Sequence, residues 1–354
     1  MKRLGLALAL IACGTSSEAT DAGQEAGGPD ASAPRANGTV GAWETLAPLP
    51  HARANFCATV VGSYVVVIGG NYPDDGGFTK LDEIDVAKFH DDGSLDAWQV
   101  AGHAPSPVTE CTAAGSDGVL YLVDGIYDDT ARQGHAFSGA MQSDGTVTLA
   151  DMGGAFPAGV DFFDDLAFAT TDRLFAVTSK LTGSCALDSA PLGGTPAWTD
   201  VDWLDEFRGR PQWATATAGG ATYVYVLGGY SDADAGNVVL DTCAGASVSA
   251  DGAAGASFSA TSLPKPTTFG MAASADDFVF VLGGRDAIFG ASPRADVISA
   301  QAGANGALGA WSAQPPLPSA RSNGAAVVAG NFLYVLGGAG STTTDTVYAA
   351  RVRY

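Results

Sequence analysis

The feature of this sequence that most restricts its fold is a strongly apolar hexamer that recurs along the chain. The copies are V-V-V-I-G-G ending at Gly70, L-Y-L-V-D-G at Gly125, L-F-A-V-T-S at Ser179, V-Y-V-L-G-G at Gly229, V-F-V-L-G-G at Gly284 and L-Y-V-L-G-G at Gly338, at intervals of 55, 54, 50, 55 and 54 residues. Each copy combines β-branched or aromatic residues with two small ones, as in a buried strand that ends where backbones crowd together. Such a period predicts an array of similar structural units.

A second marker with the same period is a turn dipeptide that precedes the first hexamer and follows each of the first five. Asn-Gly or Asp-Gly occurs at 37–38, 92–93, 144–145, 251–252 and 305–306, and Gly193-Gly194 takes this place in the third copy. These dipeptides tolerate positive φ at both central positions and therefore favour tight hairpins. Trp43, Trp98, Trp198 and Trp311 follow the turns, and we expect them to pack between neighbouring sheets. Each repeat thus predicts four strands.

The repeat length, the four strands and the Gly-Gly doublet resemble the Kelch family, whose fold is a β-propeller. The resemblance covers Asn37 to Tyr354 and is weakest in the third copy, where Thr178-Ser179 replaces the doublet. It implies an all-β, six-bladed propeller over residues 37–354, with four antiparallel strands in each blade.

The two ends of the repeat region predict how the ring closes. N-G-T-V-G-A-W-E-T-L-A-P-L-P, Asn37 to Pro50, has a near twin in N-G-A-L-G-A-W-S-A-Q-P-P-L-P, Asn305 to Pro318, while the last repeat has no Trp strand of its own. We therefore expect a strand over about 41–50 to pair with one over about 346–354, which removes the exposed sheet edges.

The N-terminal residues predict export from the cytoplasm. Lys2 and Arg3 precede an apolar run that is too short to span a bilayer, as in a secretory signal over residues 1–12. Leu10-Ile11-Ala12-Cys13 resembles a bacterial lipobox, which implies lipidation of Cys13 and, since Gly14 is not the Asp that retains lipoproteins at the inner membrane, an outer-membrane location. An ordinary signal peptide with an incidental cysteine is the alternative. Residues 13–36 after it contain too little apolar surface to fold, and we expect a disordered tether.

Net charge and cysteine content narrow the possible partners and disulfide bonds of this protein. The net charge of −21 argues against nucleic acid as a partner, because that binding depends on cationic groups. Four cysteines remain besides Cys13, namely Cys57, Cys111, Cys185 and Cys243, and three pairings are open to them in an oxidising compartment. Their places in adjacent repeats favour pairs 57 with 111 and 185 with 243.

The loops after the Gly-Gly strands and the loops that enter the next inner strands should open on one face, which we call the loop face. It carries the candidate ligand-binding residues Arg53, Asn55, Glu110, Asp164, Asp165, Arg210, Trp213, Arg321 and Asn323. Mixed charges fix polar groups and an aromatic ring can stack on a sugar. The alternative is that the arginines and carboxylates pair with each other to hold neighbouring blades.

Metal and catalytic signals are weaker. Asp232, Asp234 and Asn237 space oxygen donors as hard-cation loops do but lack a bidentate Glu, so calcium is a candidate and no other cofactor is expected. Four singly scattered histidines disfavour a copper oxidase of the kind that some Kelch propellers resemble. No H-E-x-x-H, G-x-S-x-G or P-loop motif occurs.

These patterns together predict an envelope-anchored, monomeric module that binds an unidentified protein or glycan of the cell envelope through its loop face, with no enzymatic activity assigned. The alternative is a glycan-active enzyme, a hydrolase, lyase or epimerase, that uses acidic and Arg residues around the central opening. Six-bladed Kelch propellers that isomerise sialic acid suggest this alternative by fold analogy alone.

Overall fold

The computed structural model describes residues 38–354 except 75–76, 124, 129–133, 155–160, 181–182 and 232–236, and it leaves the side chains of 161–165 undescribed. The described chain is all-β, and its strands form six antiparallel four-stranded sheets arranged as a β-propeller. The predicted fold class is therefore confirmed. The signal, the tether and Cys13 lie outside the described residues. In the part of the chain described, no helix has the length and apolarity needed to cross a bilayer.

The blades are numbered by the hexamer that forms their second strand, and their strands are given from the innermost outward. Blade one consists of Cys57–Val61, Tyr64–Ile68, Glu83–Lys88 and Gln99–His103; blade two of Thr112–Ser116, Val119–Val123, Ala136–Ala140 and Ala150–Asp151; and blade three of Asp161–Ala169, Arg173–Lys180, Ser184–Pro191 and Thr199–Leu204. Blade four consists of Gln212–Ala218, Ala221–Leu227, Cys243–Val248 and Phe258–Ala260; blade five of Met271–Ala275, Phe278–Leu282, Val297–Gln301 and Ser312–Ala313; and blade six of Ala325–Ala329, Phe332–Leu336, Val347–Arg353 and Thr39–Leu46.

Three two-stranded ribbons extend the loops of these blades. Asn71–Asp74 pairs with Gly77–Lys80, Val108–Thr109 with Ile126–Tyr127, and Tyr230–Ser231 with Val238–Val239. All three begin next to the end of a second strand, and they therefore stand on the loop face.

The core lies between neighbouring blades, where the second strands are almost completely buried. Val66 and Ile68 of blade one, for example, pack in one cluster with Leu120 and Leu122 of blade two. Burial of such aliphatic side chains is the main force that holds the blades together. The tryptophans add a polar link at the outer edge of the ring.

The tryptophans in or just before the outer strands lie between blades as predicted. Trp43 Nε1 donates a hydrogen bond to Pro315 O of blade five over 2.9 Å, and Trp311 Nε1 donates to Thr261 O at the end of blade four over 2.9 Å. Trp98 Nε1 donates to Ala47 O, just after the blade-six outer strand, over 3.2 Å. Each indole therefore ties its blade to the preceding one.

The ring closes through the predicted pairing of the two ends of the described chain. Thr39–Leu46 runs antiparallel to Val347–Arg353, from Thr39 opposite Arg353 to Leu46 opposite Val347. The observed strand begins and ends slightly earlier than the sequence suggested. Blade six is thus built from both ends of the repeat region, and its outer edge is supplied by the N-terminal strand.

The turn dipeptides form hairpins as predicted, and the turn at 92–93 shows their geometry. Gly93 has φ of +87°, whereas Asp92 is not among the residues with positive φ. Gly93 N donates to His90 O over 2.9 Å, and Asp92 Oδ1 accepts a hydrogen bond from Ser94 N at 2.9 Å. At 92–93 the side chain of Asp92 thus stabilises the turn, and only Gly93 needs the left-handed region.

One of the two predicted disulfides is present. Cys57 and Cys111 are bonded and join blades one and two beside the central channel. The predicted bond between Cys185 and Cys243 is wrong, because both residues remain buried thiols. Their Sγ atoms point to backbone oxygens near their own blades, Glu206 O at 3.2 Å and Asp241 O at 3.6 Å. Burial raises the pKa of the Cys243 thiol to about 11, which makes it unreactive at neutral pH.

Candidate functional site at the mouth of the central channel

The first strands of all six blades surround a central channel of about 340 Å³. Its walls consist mainly of small and aliphatic side chains, among them Ala58, Ala113, Ala214 and Val328. Small-molecule sites commonly have volumes of about 300 to 1,000 Å³, so the channel is large enough to admit a ligand.

The channel opens on the loop face, where the two sets of loops meet as predicted. In blade one, Ala54 and Asn71 exchange two backbone hydrogen bonds of 2.9 Å, so the residue that enters the first strand is paired with the residue that follows Gly70. Blades four, five and six repeat this arrangement with Gly209 and Tyr230, Thr268 and Arg285, and Ser322 and Ala339. The pairing places polar side chains from both loops around one opening.

Five residues occupy the same position in their blades and form a ring around the opening, which we call the mouth ring. They are Asn55, Glu110, Arg210, Phe269 and Asn323, with φ of 54°, 55°, 49°, 55° and 55°. Positive φ is uncommon for residues other than glycine, and such strain gathers at functional sites when the surroundings enforce it.

Backbone hydrogen bonds from blade to blade enforce the positive φ of the mouth-ring residues. Phe269 N donates to Arg210 O at 3.1 Å and Asn323 N to Phe269 O at 3.0 Å. Asn55 N then donates to Asn323 O at 3.0 Å and Glu110 N to Asn55 O at 2.7 Å. The chain of bonds runs through five blades, which makes the opening a rigid frame.

Two kinds of polar contact line this frame. Asn323 Nδ2 donates to Asn55 Oδ1 at 2.7 Å, and Asn55 Nδ2 donates to Asn71 Oδ1 at 3.2 Å, which gives a row of three amides. Arg210 Nη2 donates to Glu110 Oε1 at 2.5 Å, and this ion pair links blades four and two. Both charged side chains are mostly buried, with 13% and 11% of their surface exposed, so the pair has a structural role as well as a place at the mouth.

Phe269 and Arg285 are residues of the site that were not among the predicted ligand-binding residues. The Phe269 ring has two guanidinium groups beside it, Arg210 at 5.6 Å and Arg285 at 5.9 Å. Arg285 Nε donates to Ser322 Oγ at 3.0 Å, and no carboxylate of the described residues lies within 4.0 Å of the guanidinium. The repeat register could have found Phe269, because it precedes Gly284 by 15 residues, as Asn55 precedes Gly70 and Asn323 precedes Gly338.

Two of the predicted ligand-binding arginines do not face the opening. Arg53 is fully buried, with Nη2 donating to Asp85 Oδ2 at 2.5 Å and Nη1 to Gly69 O at 3.1 Å. Burial lowers the pKa of Arg53, and the carboxylates of Asp85 and Glu83 oppose that change, so the guanidinium keeps its charge.

Arg321 is only 1% exposed and lies over the Tyr348 ring at 4.4 Å. Its Nη1 donates to Gly337 O at 3.0 Å and to Thr346 O at 3.2 Å. Arg53 and Arg321 therefore bind the carbonyl of the first doublet glycine in their own blades. These two side chains thus stabilise the Gly-Gly doublet and do not line the mouth. Arg208 binds Gly228 O in the same way, at 3.0 Å.

The remaining predicted residues are placed as follows. Trp213 is 6% exposed and packs against Trp203 between blades three and four, so its ring is part of the core and only borders the channel. Asp164 and Asp165 lie in the first strand of blade three, but their side chains are outside the described residues.

The calcium candidate is also only partly described. Asp232 and Asp234 lie outside the described residues, and Asn237 is exposed at the edge of a ribbon. Among the described side chains, no group of three His, Cys, Asp or Glu residues is arranged to hold a metal ion. The calcium site stays a prediction.

The fold and the mouth ring define a six-bladed β-propeller with a polar opening to its central channel. Among solved structures, that of YjhT is similar, with a TM-score of 0.62 over 87% of this chain and 99% of that chain. The two sequences are 14% identical, so the likeness shows the fold alone. No family model and no curated protein matches this sequence.

Proposed function

We propose that this protein is a binding module that holds a small acidic saccharide at the mouth of its central channel. The observation that carries the proposal is the position of Arg285 beside Phe269, without a carboxylate partner among the described residues. A guanidinium binds a carboxylate through two parallel hydrogen bonds, and such charge-assisted bonds are the stronger ones in proteins.

The neighbouring groups fit the rest of a sugar. The amides of Asn55, Asn71 and Asn323 both donate and accept hydrogen bonds, as hydroxyl groups require. Phe269 presents a flat apolar ring at the same edge, and sugar-binding sites combine few polar groups of fixed orientation with apolar surface. Because the backbone hydrogen bonds hold the mouth ring in place, little ordering is needed on binding.

A thermal-shift comparison of acidic and neutral sugars tests this proposal. Glucuronate and galacturonate should raise the unfolding midpoint, whereas glucose and galactose at the same concentrations should not, because ligands that bind only the native state stabilise it by mass action. Arg285→Gln should lower the affinity roughly 10- to 100-fold, since a hydrogen bond to a charged group contributes about 1.5 to 3 kcal/mol.

Arg353→Gln is the matched control, because it removes the same charge from an exposed position on the third strand of blade six. Equal shifts with neutral sugars, or an acid-dependent shift that survives Arg285→Gln, would contradict the proposal. A protein that responds to none of these sugars would instead be examined for protein partners in the envelope.

A glycan-active enzyme is the second candidate, because Glu110 sets a carboxylate at the mouth beside Arg210. Proton transfer by Glu110 would require it to approach the bound sugar within hydrogen-bond reach. Wild-type turnover of the sugar that Glu110→Gln abolishes while affinity is retained supports an enzyme, whereas wild-type binding without any turnover supports a binding module.

We further propose that the module is anchored in the cell envelope through lipid on Cys13, on the strength of the Leu10-Ile11-Ala12-Cys13 motif. Cys13 lies outside the described residues, so the lipid anchor is tested in cells. Cys13→Ser should move the protein from the membrane fraction to the soluble fraction, and membrane association that persists in this variant would refute the anchor.

A further inference from the structure

The loop face carries clefts between the loops of neighbouring blades in addition to the central opening. They have volumes of about 330 Å³ between blades four and five, 540 Å³ between blades five and six, and 190 Å³ between blades six and one. We call the cleft between blades five and six the side cleft. It is bounded by Arg285 and residues 290–293 on one side and by Ala320, Gly340 and Ser341 on the other.

The side cleft is continuous with the proposed saccharide site through Arg285. This side chain lines the cleft, and its guanidinium lies 5.9 Å from the Phe269 ring of the mouth ring. Its Nε hydrogen bond of 3.0 Å to Ser322 Oγ fixes it next to Asn323, the blade-six residue of the mouth ring. One arginine thus stands where the two spaces meet.

The lining of the side cleft favours a polar, extended ligand. Apart from Arg285 and Pro293, the cleft is bounded by Gly, Ala and Ser residues, so its walls combine backbone and hydroxyl groups with small methyl groups. Such walls offer hydrogen-bond partners but no large apolar surface. The cleft between blades four and five differs, because Val239, Ile288 and Phe289 border it.

We propose that the side cleft is a second subsite and that the ligand is an acidic oligosaccharide. This inference rests on the proposed function. A terminal sugar lies at the mouth ring near Phe269 and Asn323, its carboxylate binds Arg285, and the following sugars extend outward through the side cleft. A site at the central channel alone would bind a single sugar unit. A site that includes the side cleft binds longer saccharides more tightly.

Calorimetric titration with galacturonic acid and its dimer, trimer and tetramer tests the second subsite. The protein should bind the trimer at least tenfold more tightly than the monomer, because the added units occupy the side cleft. Ala291→Trp fills the cleft and should remove this gain while the affinity for the monomer changes less than twofold. Ala320→Trp fills it from blade six and serves as a second variant should Ala291→Trp fail to fold.

Ala287→Trp is the matched control, because it places the same side chain in the cleft between blades four and five. It should keep the full gain with chain length. Monomer binding without any gain, or a gain that survives both Ala291→Trp and Ala320→Trp, would overturn the second subsite and leave the proposed function standing. Absence of binding across the whole series would overturn both.

Discussion

Asp188 illustrates how one residue can couple the fold to pH. It lies fully buried in the third strand of blade three, where Thr178 Oγ1 donates to its Oδ2 at 3.1 Å. Lys180 Nζ instead binds Asp200 at 2.6 Å and Asp202 at 2.7 Å. Burial, together with the negative charge of Asp200, raises the pKa of Asp188 to about 7.

Asp188 should therefore make the protein less stable as the pH rises. Its pKa is about 4 when unfolded, so the native state favours the protonated carboxyl, and that advantage is fully present below pH 4 and lost as the pH rises through 7. Asp188→Asn should remove this dependence, which we expect to be on the order of 2 to 4 kcal/mol between pH 4 and 8. Denaturant unfolding of both proteins at several pH values measures it.

Asp205→Asn serves as the control, because Asp205 is an exposed carboxylate just after blade three and should leave the wild-type pH dependence unchanged. Parallel pH profiles for the wild type and Asp188→Asn would show that Asp188 ionises normally in the native state.

Sequence reasoning at the residue scale found most of the mouth ring but could not separate surface from core. Asn55, Glu110, Arg210 and Asn323 were all singled out by their loop position, and they do surround the opening. Arg53 lies in the same loop two residues before Asn55, yet its guanidinium pairs inside the blade with the carboxylate of Asp85, 32 residues along the chain. That contact depends on three-dimensional packing, which a single loop does not reveal.

The glycines in the hairpin turns show how a single residue affects the packing of neighbouring strands. A Cβ at Gly93 would overlap the Phe332 ring of blade six, whereas a Cβ at Gly62 meets no atom within 4 Å. Both have positive φ, +87° and +57°. A side chain at Gly93 would therefore meet both a steric clash and an unfavourable backbone conformation. A side chain at Gly62 would meet only the unfavourable backbone conformation.

Gly93→Ala should destabilise the protein more than Gly62→Ala. Both substitutions place alanine at positive φ, which costs on the order of 1 kcal/mol, and Gly93→Ala adds a clash in a packed interface of about 1 to 3 kcal/mol. Chemical denaturation of the two variants gives the difference directly. Equal losses of unfolding free energy would mean that Phe332 can move aside at no cost.

At the scale of strands, the hexamers predicted the second strand of each blade, because a short apolar run that ends at small residues is typical of a buried strand. The dipeptide predicted the hairpin but did not show that Asp92 would accept a hydrogen bond from Ser94. The ribbons at 71–80 and 230–239 were not predicted, since their pairing is short and their sequences resemble loops.

At the scale of the whole molecule, the six hexamers predicted the number of blades, and the duplicated motif at Asn37 and Asn305 predicted the closure of the ring. Closure completes blade six, because Thr39–Leu46 pairs with Val347–Arg353 and supplies the fourth strand. The ligand could not be predicted in this way, because it depends on which side chains of six similar loops remain accessible once the ring is assembled. The contact between Arg285 and Phe269 became visible only in the assembled ring.

A crystal structure of the protein with bound galacturonate tests the central claim, that the mouth of the channel is an acidic-saccharide site. We predict a sugar at the mouth ring, with its carboxylate in hydrogen-bond distance of the Arg285 guanidinium and its ring beside Phe269. A sugar bound on the opposite face of the propeller, or at the mouth with its carboxylate directed away from Arg285, would contradict it.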